Sequence, residues 1–159
     1  MRWWLILGAV LAAWWGYTSY LAPAPDPVAL PERFTICAER GSAACVIDGD
    51  TVSIGTPGEF GKARRRIRFT GYDAPELDGA CEDERTAARR ARSALRDWLN
   101  AAPAQVDGGE APPFDQYGRE LRAASRADGT GLADHMIDNG LASPSGWGAV
   151  PVEWCERRH

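Results

Sequence analysis

Residues 3–21 carry no charged side chain, and prolines stand directly behind them at positions 23, 25, 27 and 31. These two features divide the chain before any other residue is considered. The run reaches the roughly 18–20 residues needed to cross a hydrocarbon core of about 30 Å. Trp3, Trp4, Trp14, Trp15, Tyr17 and Tyr20 lie toward its two ends, where amphipathic rings favour the headgroup zone. Arg2 and the amino terminus supply a positive inner end. A transmembrane or signal helix is therefore expected over residues 1–21. Ala22-Pro23-Ala24 resembles a small-x-small cleavage site, so a cleaved secretory segment is the alternative to a retained anchor. Both readings place the remainder in an extracytoplasmic compartment, periplasmic or extracellular, either membrane-anchored or secreted. Residues 22–32 read as a stiff Pro-rich linker without a core of its own. That leaves residues 33–159 as one small domain.

All four cysteines, Cys37, Cys45, Cys81 and Cys155, lie beyond the apolar run. An even count in a small exported domain points to disulfides. Three connectivities are possible. The reading adopted is Cys37–Cys45, stapling neighbouring strands across a short loop, and Cys81–Cys155, tying the C-terminal tail to the loop after the proposed site. A zinc site is the alternative, but no C-x-x-C spacing supports it. The net charge of −4 does not advertise nucleic-acid binding. Basic residues cluster in Lys62–Arg68 and Arg85–Arg96, which suits either phosphate binding or ordinary solvated faces.

Phe34–Cys37 reads as a short strand, Cys45–Ile54 as a longer one, and Arg64–Tyr72 as a third, with Ile67 and Phe69 on one face. Residues 55–61 form a turn region between the last two, and the three strands make a meander. Residues 82–100 form a helix with an apolar stripe of Ala87, Ala91, Ala94, Leu95, Trp98 and Leu99. Glu82, Asp83 and Glu84 in its first turn suit the helix dipole. A short strand at 105–107, a Gly/Pro-rich loop at 108–113, a strand at 120–127 and a short helix at 131–139 stopped by Gly140 complete the pattern. From Ser143 the tail is irregular, with Trp147 and Trp154 expected to pack. The order implies an α+β fold, mainly a β barrel: an OB-type five-stranded barrel with a capping helix and a short second helix.

Three clusters carry chemistry. In Val46-Ile-Asp-Gly-Asp-Thr-Val52, Asp48 and Asp50 share parity with Val52 and fall on the core side. There, carboxylates are costly unless paired or bound to a cation. The plain alternative is a tight Asp-Gly turn. In Arg68-Phe-Thr-Gly-Tyr-Asp-Ala-Pro-Glu76, a strand runs into a loop holding Asp73 and Glu76, and Pro75 keeps Ala74 extended. The alternative is a strand end with solvated acids. Alternation alone does not put Arg68 beside Asp73; sheet twist is needed. In Phe114-Asp-Gln-Tyr-Gly-Arg119, a turn at Gly118 throws Tyr117 and Arg119 to one side. The alternative is a hairpin turn with a surface arginine.

Together and in this order, V-I-D-G-D-T, R-x-x-x-x-D-x-P-E and D-x-Y-G-R resemble the staphylococcal nuclease family over roughly residues 33–142. The resemblance implies a calcium-dependent endonuclease, a phosphodiesterase hydrolysing DNA and RNA, favouring single strands and leaving 3′-phosphate ends. It implies that Asp50 and Asp73 bind Ca²⁺ through side-chain oxygens and Ala74 through its carbonyl. Glu76 would orient or deprotonate water, Arg68 and Arg119 would clamp the phosphate, Tyr117 would meet the nucleotide, and Asp48 would support the ligands from behind. These residue types fit the chemistry. A hard cation on oxygen ligands polarises a phosphate and helps position water, and Arg forks match phosphoryl oxygens. The chain departs from the family at Gln116, where a basic residue is common. It also lacks the family's long C-terminal helix and its second aromatic pair near Ser145–Gly148, where Trp147 is the substitute. His135 and His159 read as solvated. No obligate protein partner is expected; the partners are a DNA or RNA substrate and, through the N-terminal helix, a membrane. Two other classes are carried: a non-catalytic OB-type module binding nucleic acid or protein, and a membrane-tethered scaffold.

Overall fold

The computed structural model describes residues 2–20, 25–37, 43–55, 64–109 and 112–155. Most of the 55–61 turn region, Lys62, part of the 22–32 linker and His159 lie outside them. The fold is α+β, built mainly of short strands with three helices.

Helix α1 (Arg2–Tyr20) occupies the expected place. However, no helix among the described residues is long and apolar enough to cross a membrane, and the expected transmembrane span is corrected accordingly. The physical reason is composition. The aliphatic run of α1 is short, interrupted by Gly8 and flanked by four tryptophans, two tyrosines, Gly16, Thr18 and Ser19, which lower the mean hydropathy of the helix.

The Pro-rich stretch is more than a spacer. Strand β1 (Val28–Ala29) pairs antiparallel with β7 (Gln105–Val106), and β7 pairs with β9 (Ala124–Ser125). The Leu30 N–H donates to the Ala104 carbonyl at 2.9 Å, and Val28 and Leu30 pack against the core.

The main sheet has five strands in the order β2 (Thr35–Ile36), β3 (Ala44–Val46), β4 (Thr51–Ile54), β5 (Arg65–Phe69) and β8 (Glu120–Arg122). Four expectations change here. The long strand read over 45–54 is two strands, because Asp48-Gly49-Asp50 makes a tight turn between β3 and β4. The expected meander holds only from β3 to β5; β2 runs parallel to β3, with Thr35 opposite Cys45. The strand read to Tyr72 ends at Phe69, and β6 (Tyr72–Asp73) resumes after Gly71, whose φ of 92° favours glycine. Likewise the strand read over 120–127 breaks into β8 and β9 at Ala123.

Helix α2 (Glu82–Ala101) covers the sheet with Ala88, Ala91, Leu95, Trp98 and Leu99 buried. Its N-cap is Cys81, whose sulfur accepts the Glu84 N–H, while the Glu84 carboxylate reaches back to the Ala80 N–H at 2.8 Å. Helix α3 (Leu132–Asp138) ends as its sequence predicts. The Leu141 N–H bonds to the Met136 carbonyl and the Gly140 N–H to the Ile137 carbonyl, a paired closure that requires a left-handed residue at Gly140. Strand β10 (Ser143–Pro144) pairs with β6, giving order to a tail expected to be irregular. Trp147 does not pack as expected; it is fully exposed, while Trp154 is half-buried. Both disulfides, Cys37–Cys45 and Cys81–Cys155, form as read from the sequence.

Candidate functional site

The site starts at the turn between β3 and β4. Asp48 Oδ1 accepts the Asp50 N–H at 3.1 Å, and the Ile47 N–H bonds to the Thr51 carbonyl at 2.9 Å. Gly49 sits where no other residue fits. A Cβ there would lie 2.5 Å from the Ala74 Cβ and 2.9 Å from the Ala91 Cβ. The turn is thus wedged between the β6 loop and α2. Two more bonds pin it: the Tyr72 hydroxyl donates to the Gly49 carbonyl at 3.1 Å, and the Phe69 N–H donates to the Asp50 carbonyl at 2.8 Å.

This packing buries Asp50 to 4% exposure. Both oxygens of its carboxylate have partners. Oδ1 accepts the Thr51 hydroxyl at 2.9 Å and pairs with Arg68 Nη1 at 2.5 Å; Oδ2 accepts the Ala74 N–H at 3.2 Å. The other fork of Arg68 pairs with Asp73. One guanidinium therefore bridges two carboxylates that lie 23 positions apart in the chain, Asp50 and Asp73. The reversal at Thr70–Gly71, not sheet twist along a single strand, brings Asp73 back to Arg68.

Electrostatics follow from burial and crowding. Burial and the neighbouring Asp50 charge push the Asp48 carboxyl up to about 6. Partial burial, then Asp50 and Asp78, raise the Glu76 carboxyl, although the residue as a whole is exposed. Burial and the Asp50 charge push the Tyr72 phenol well above its ordinary value, so it remains a donor to Gly49. For Arg68 burial opposes the charge, but Asp50, Asp73 and Asp48 outweigh it and raise its pKa.

The third cluster forms its own unit. Asp115 accepts the Tyr117 N–H at 2.8 Å and the Arg119 N–H at 2.9 Å, and pairs with Arg119 Nε at 2.6 Å. The Arg119 guanidinium lies 5.3 Å from the centre of the Tyr117 ring, and Tyr117 is 62% exposed. Arg66 on β5 donates to the Tyr117 carbonyl at 2.8 Å, fastening the turn to the sheet. Leu121 lies opposite Arg68 in the β5–β8 pair, and Arg119 stands immediately before β8, two residues from Leu121.

The structure thus joins Asp48, Asp50, Arg68, Asp73 and Ala74 into one contact network. It places Arg119 and Tyr117 on a neighbouring turn, held by Asp115 and by Arg66. The Glu76 carboxylate makes no hydrogen bond or ion pair among the described residues. Among the described Cys, His, Asp and Glu side chains, only Cys81, Glu84 and Cys155 bring three ligand atoms within 4.8 Å of one another. Both of those sulfurs are consumed in a disulfide, so the trio is not a metal centre. Sequence reasoning missed Gly49, Thr51, Tyr72, Arg66 and the organising role of Asp115. The spacing of Asp115 to Gly118 was the available signal, since an aspartate opening a glycine turn commonly accepts backbone N–H groups.

No protein-family model matches the chain. The chain is 36% identical over 104 residues to the succinoglycan biosynthesis protein ExoI of Rhizobium meliloti (strain 1021), a match covering 62% of this chain and 49% of that protein. The chain therefore spans about half the length of this relative.

Proposed function

We propose that this chain is a calcium-dependent phosphodiesterase that hydrolyses single-stranded DNA and RNA and leaves 3′-phosphate ends. The observation that carries the reading is the bridge of Asp50 and Asp73 through Arg68. Two acids and a guanidinium gathered at one sheet end are the parts needed to hold a hard cation beside an anionic phosphate. The five-stranded sheet with α2 laid across it supports an OB-type barrel as the scaffold. The two disulfides favour an oxidising compartment, and hence export of the domain.

The donor chemistry fits calcium. Asp50 and Asp73 offer carboxylate oxygens on the β6 side of the turn, with the Ala74 backbone next in the chain, and such an all-oxygen set suits a hard cation. When bound, the ion supplies polarisation of the phosphoryl oxygen and a site for water. The remaining work falls to side chains. Arg68 releases its fork from the acids to the phosphate, and Arg119 leaves Asp115 to add a second fork, both matching phosphoryl oxygens in planar geometry. Glu76, with its raised carboxyl, orients or deprotonates the attacking water. The water oxygen bonds to phosphorus, the bond from phosphorus to the 5′-oxygen breaks, and that oxygen takes up a proton. Exposed Tyr117 offers a face to an unstacked base.

The test is turnover of a labelled oligonucleotide by the full chain with Ca²⁺, Mg²⁺ or chelator. Glu76→Gln is expected to lower kcat by about 10²–10⁴ with little change in substrate binding. Arg68→Ala is expected to lose about 10²–10³. Unchanged turnover in either variant would remove its assigned role. A non-catalytic binding module is the second reading. It is favoured by one feature, the engagement of Arg119 with Asp115 rather than with the acids. Tight oligonucleotide binding with no turnover in calcium would select it.

A further inference from the structure

A basic groove lies on the flank of α2. Between α2, the turn after β9 and α3 is a recess of about 510 Å³, and a second of about 530 Å³ continues it along α2. Arg90, Ala94, Asp97 and Leu141 line both, so the two form one track. The first recess gathers cationic or donor side chains from three elements: Arg90 from α2, Arg126 from the turn after β9, and His135 from α3.

The walls are short of negative charge. The Arg90 side chain makes no hydrogen bond or ion pair among the described residues. Arg126 stacks 4.7 Å from the centre of the Trp98 ring and donates to the Trp98 carbonyl; it makes no ion pair within hydrogen-bond distance among the described residues, although its charge acts on the nearby Asp128 carboxylate. The one acid in the wall, Asp97, is paired with Arg96 at 2.6 Å. The Nε atoms of Trp98 and Arg126 are buried without an acceptor. Cationic side chains outnumber acids along this wall, and a groove with several cations in file suits a chain of anions better than a single one.

The groove also points toward the candidate site. Leu141, which lines both recesses, stands two residues before Ser143, the register partner of Asp73. With a strand spacing of about 5 Å and about 3.3 Å per residue, that separation is on the order of 10 Å. On the inner side of the same helix, Ala91 abuts the Gly49 turn.

We infer that this groove is a backbone track for single-stranded nucleic acid, holding phosphates beyond the bond at the Asp50–Arg68–Asp73 cluster. The inference rests on the phosphodiesterase reading for its ligand class, but its test does not require turnover. Binding of fluorescent single-stranded oligonucleotides is measured in chelator with the full chain. One oligonucleotide is about four nucleotides long, the other about sixteen. Each phosphate contact contributes about −0.7 to the slope of log affinity against log salt. Arg90→Ala is expected to flatten the slope for the long strand by about 0.7, to weaken its affinity about fivefold at about 0.1 M salt, and to leave the short strand unchanged. Arg126→Ala is expected to flatten it by a similar step; since Arg126 also packs on Trp98, its melting temperature is recorded alongside. Equal losses for both strands, no change in the Arg90 variant, or equally tight binding of polyglutamate would overturn the track. Failure of hydrolysis with the length-dependent binding intact would sink the catalytic reading alone.

Discussion

Gly49 shows how a single position fixes the candidate site. The motif Asp-Gly-Asp could be read as a turn signal or as two acids on a strand, and the sequence alone does not choose. What decides is the approach of Ala74 and Ala91 to the place a Cβ would occupy. Gly49→Ala is expected to cost about 1–3 kcal/mol through overpacking, seen as a lower urea midpoint, and to displace Asp50 from Arg68. An unchanged midpoint would mean that the β6 loop and α2 give way freely. The acids and Arg68 were legible because their residue types and order match a known pattern. The partners that hold them were not: Thr51, Tyr72 and the Ala74 N–H act through distances that no spacing encodes. Arg119 illustrates the reverse, a residue singled out from the sequence whose ion pair is local, to Asp115.

Elements were legible where one periodicity ran unbroken. Helix α2 keeps its stripe for twenty residues and begins and ends almost where the pattern does. Strands failed where two short ones abut, because alternation continues across a tight turn as if nothing had happened; β3–β4 and β5–β6 are the cases. Strand β8 holds a feature that pattern reading passes over. Arg122, 1% exposed, pairs with Glu120 and donates to the Gly109 carbonyl at 2.6 Å, while Arg65 forks onto Glu120 at 2.7 and 2.8 Å. The Arg65 hydrogen bonds, with Arg122 behind them, hold the Glu120 carboxyl below its usual range. A carboxylate lowered on folding contributes stability that is complete above its unfolded value of about 4.3. That contribution is lost as pH falls through the lower folded value. Glu120→Gln is therefore expected to lose about 3–5 kcal/mol at neutral pH by stranding buried charge. Its urea midpoint should also fall less between about pH 5 and 3 than that of the parent. A parallel fall in both proteins would take Glu120 out of the acid response.

At the scale of the whole molecule, the core among the described residues runs from Val28 to Ala142, and none of its members comes from α1. The two disulfides act on it unequally. In the chain-entropy picture, closing a separation of 8 residues contributes about 2.5 kcal/mol and closing one of 74 about 4.4 kcal/mol. Replacing Cys81 and Cys155 with serine is thus expected to lower stability more than the same change at Cys37 and Cys45, as measured by urea unfolding; the opposite order would point to strain or residual structure. The longer link has a mechanical consequence. A pull on the C-terminal tail passes from Cys155 directly to Cys81 at the head of α2. The stretch between them, with both later helix contacts and the Tyr117 turn, is bypassed by the load. Tension or tugging by a processive protease would meet a closed ring there, and only a reductant would open it.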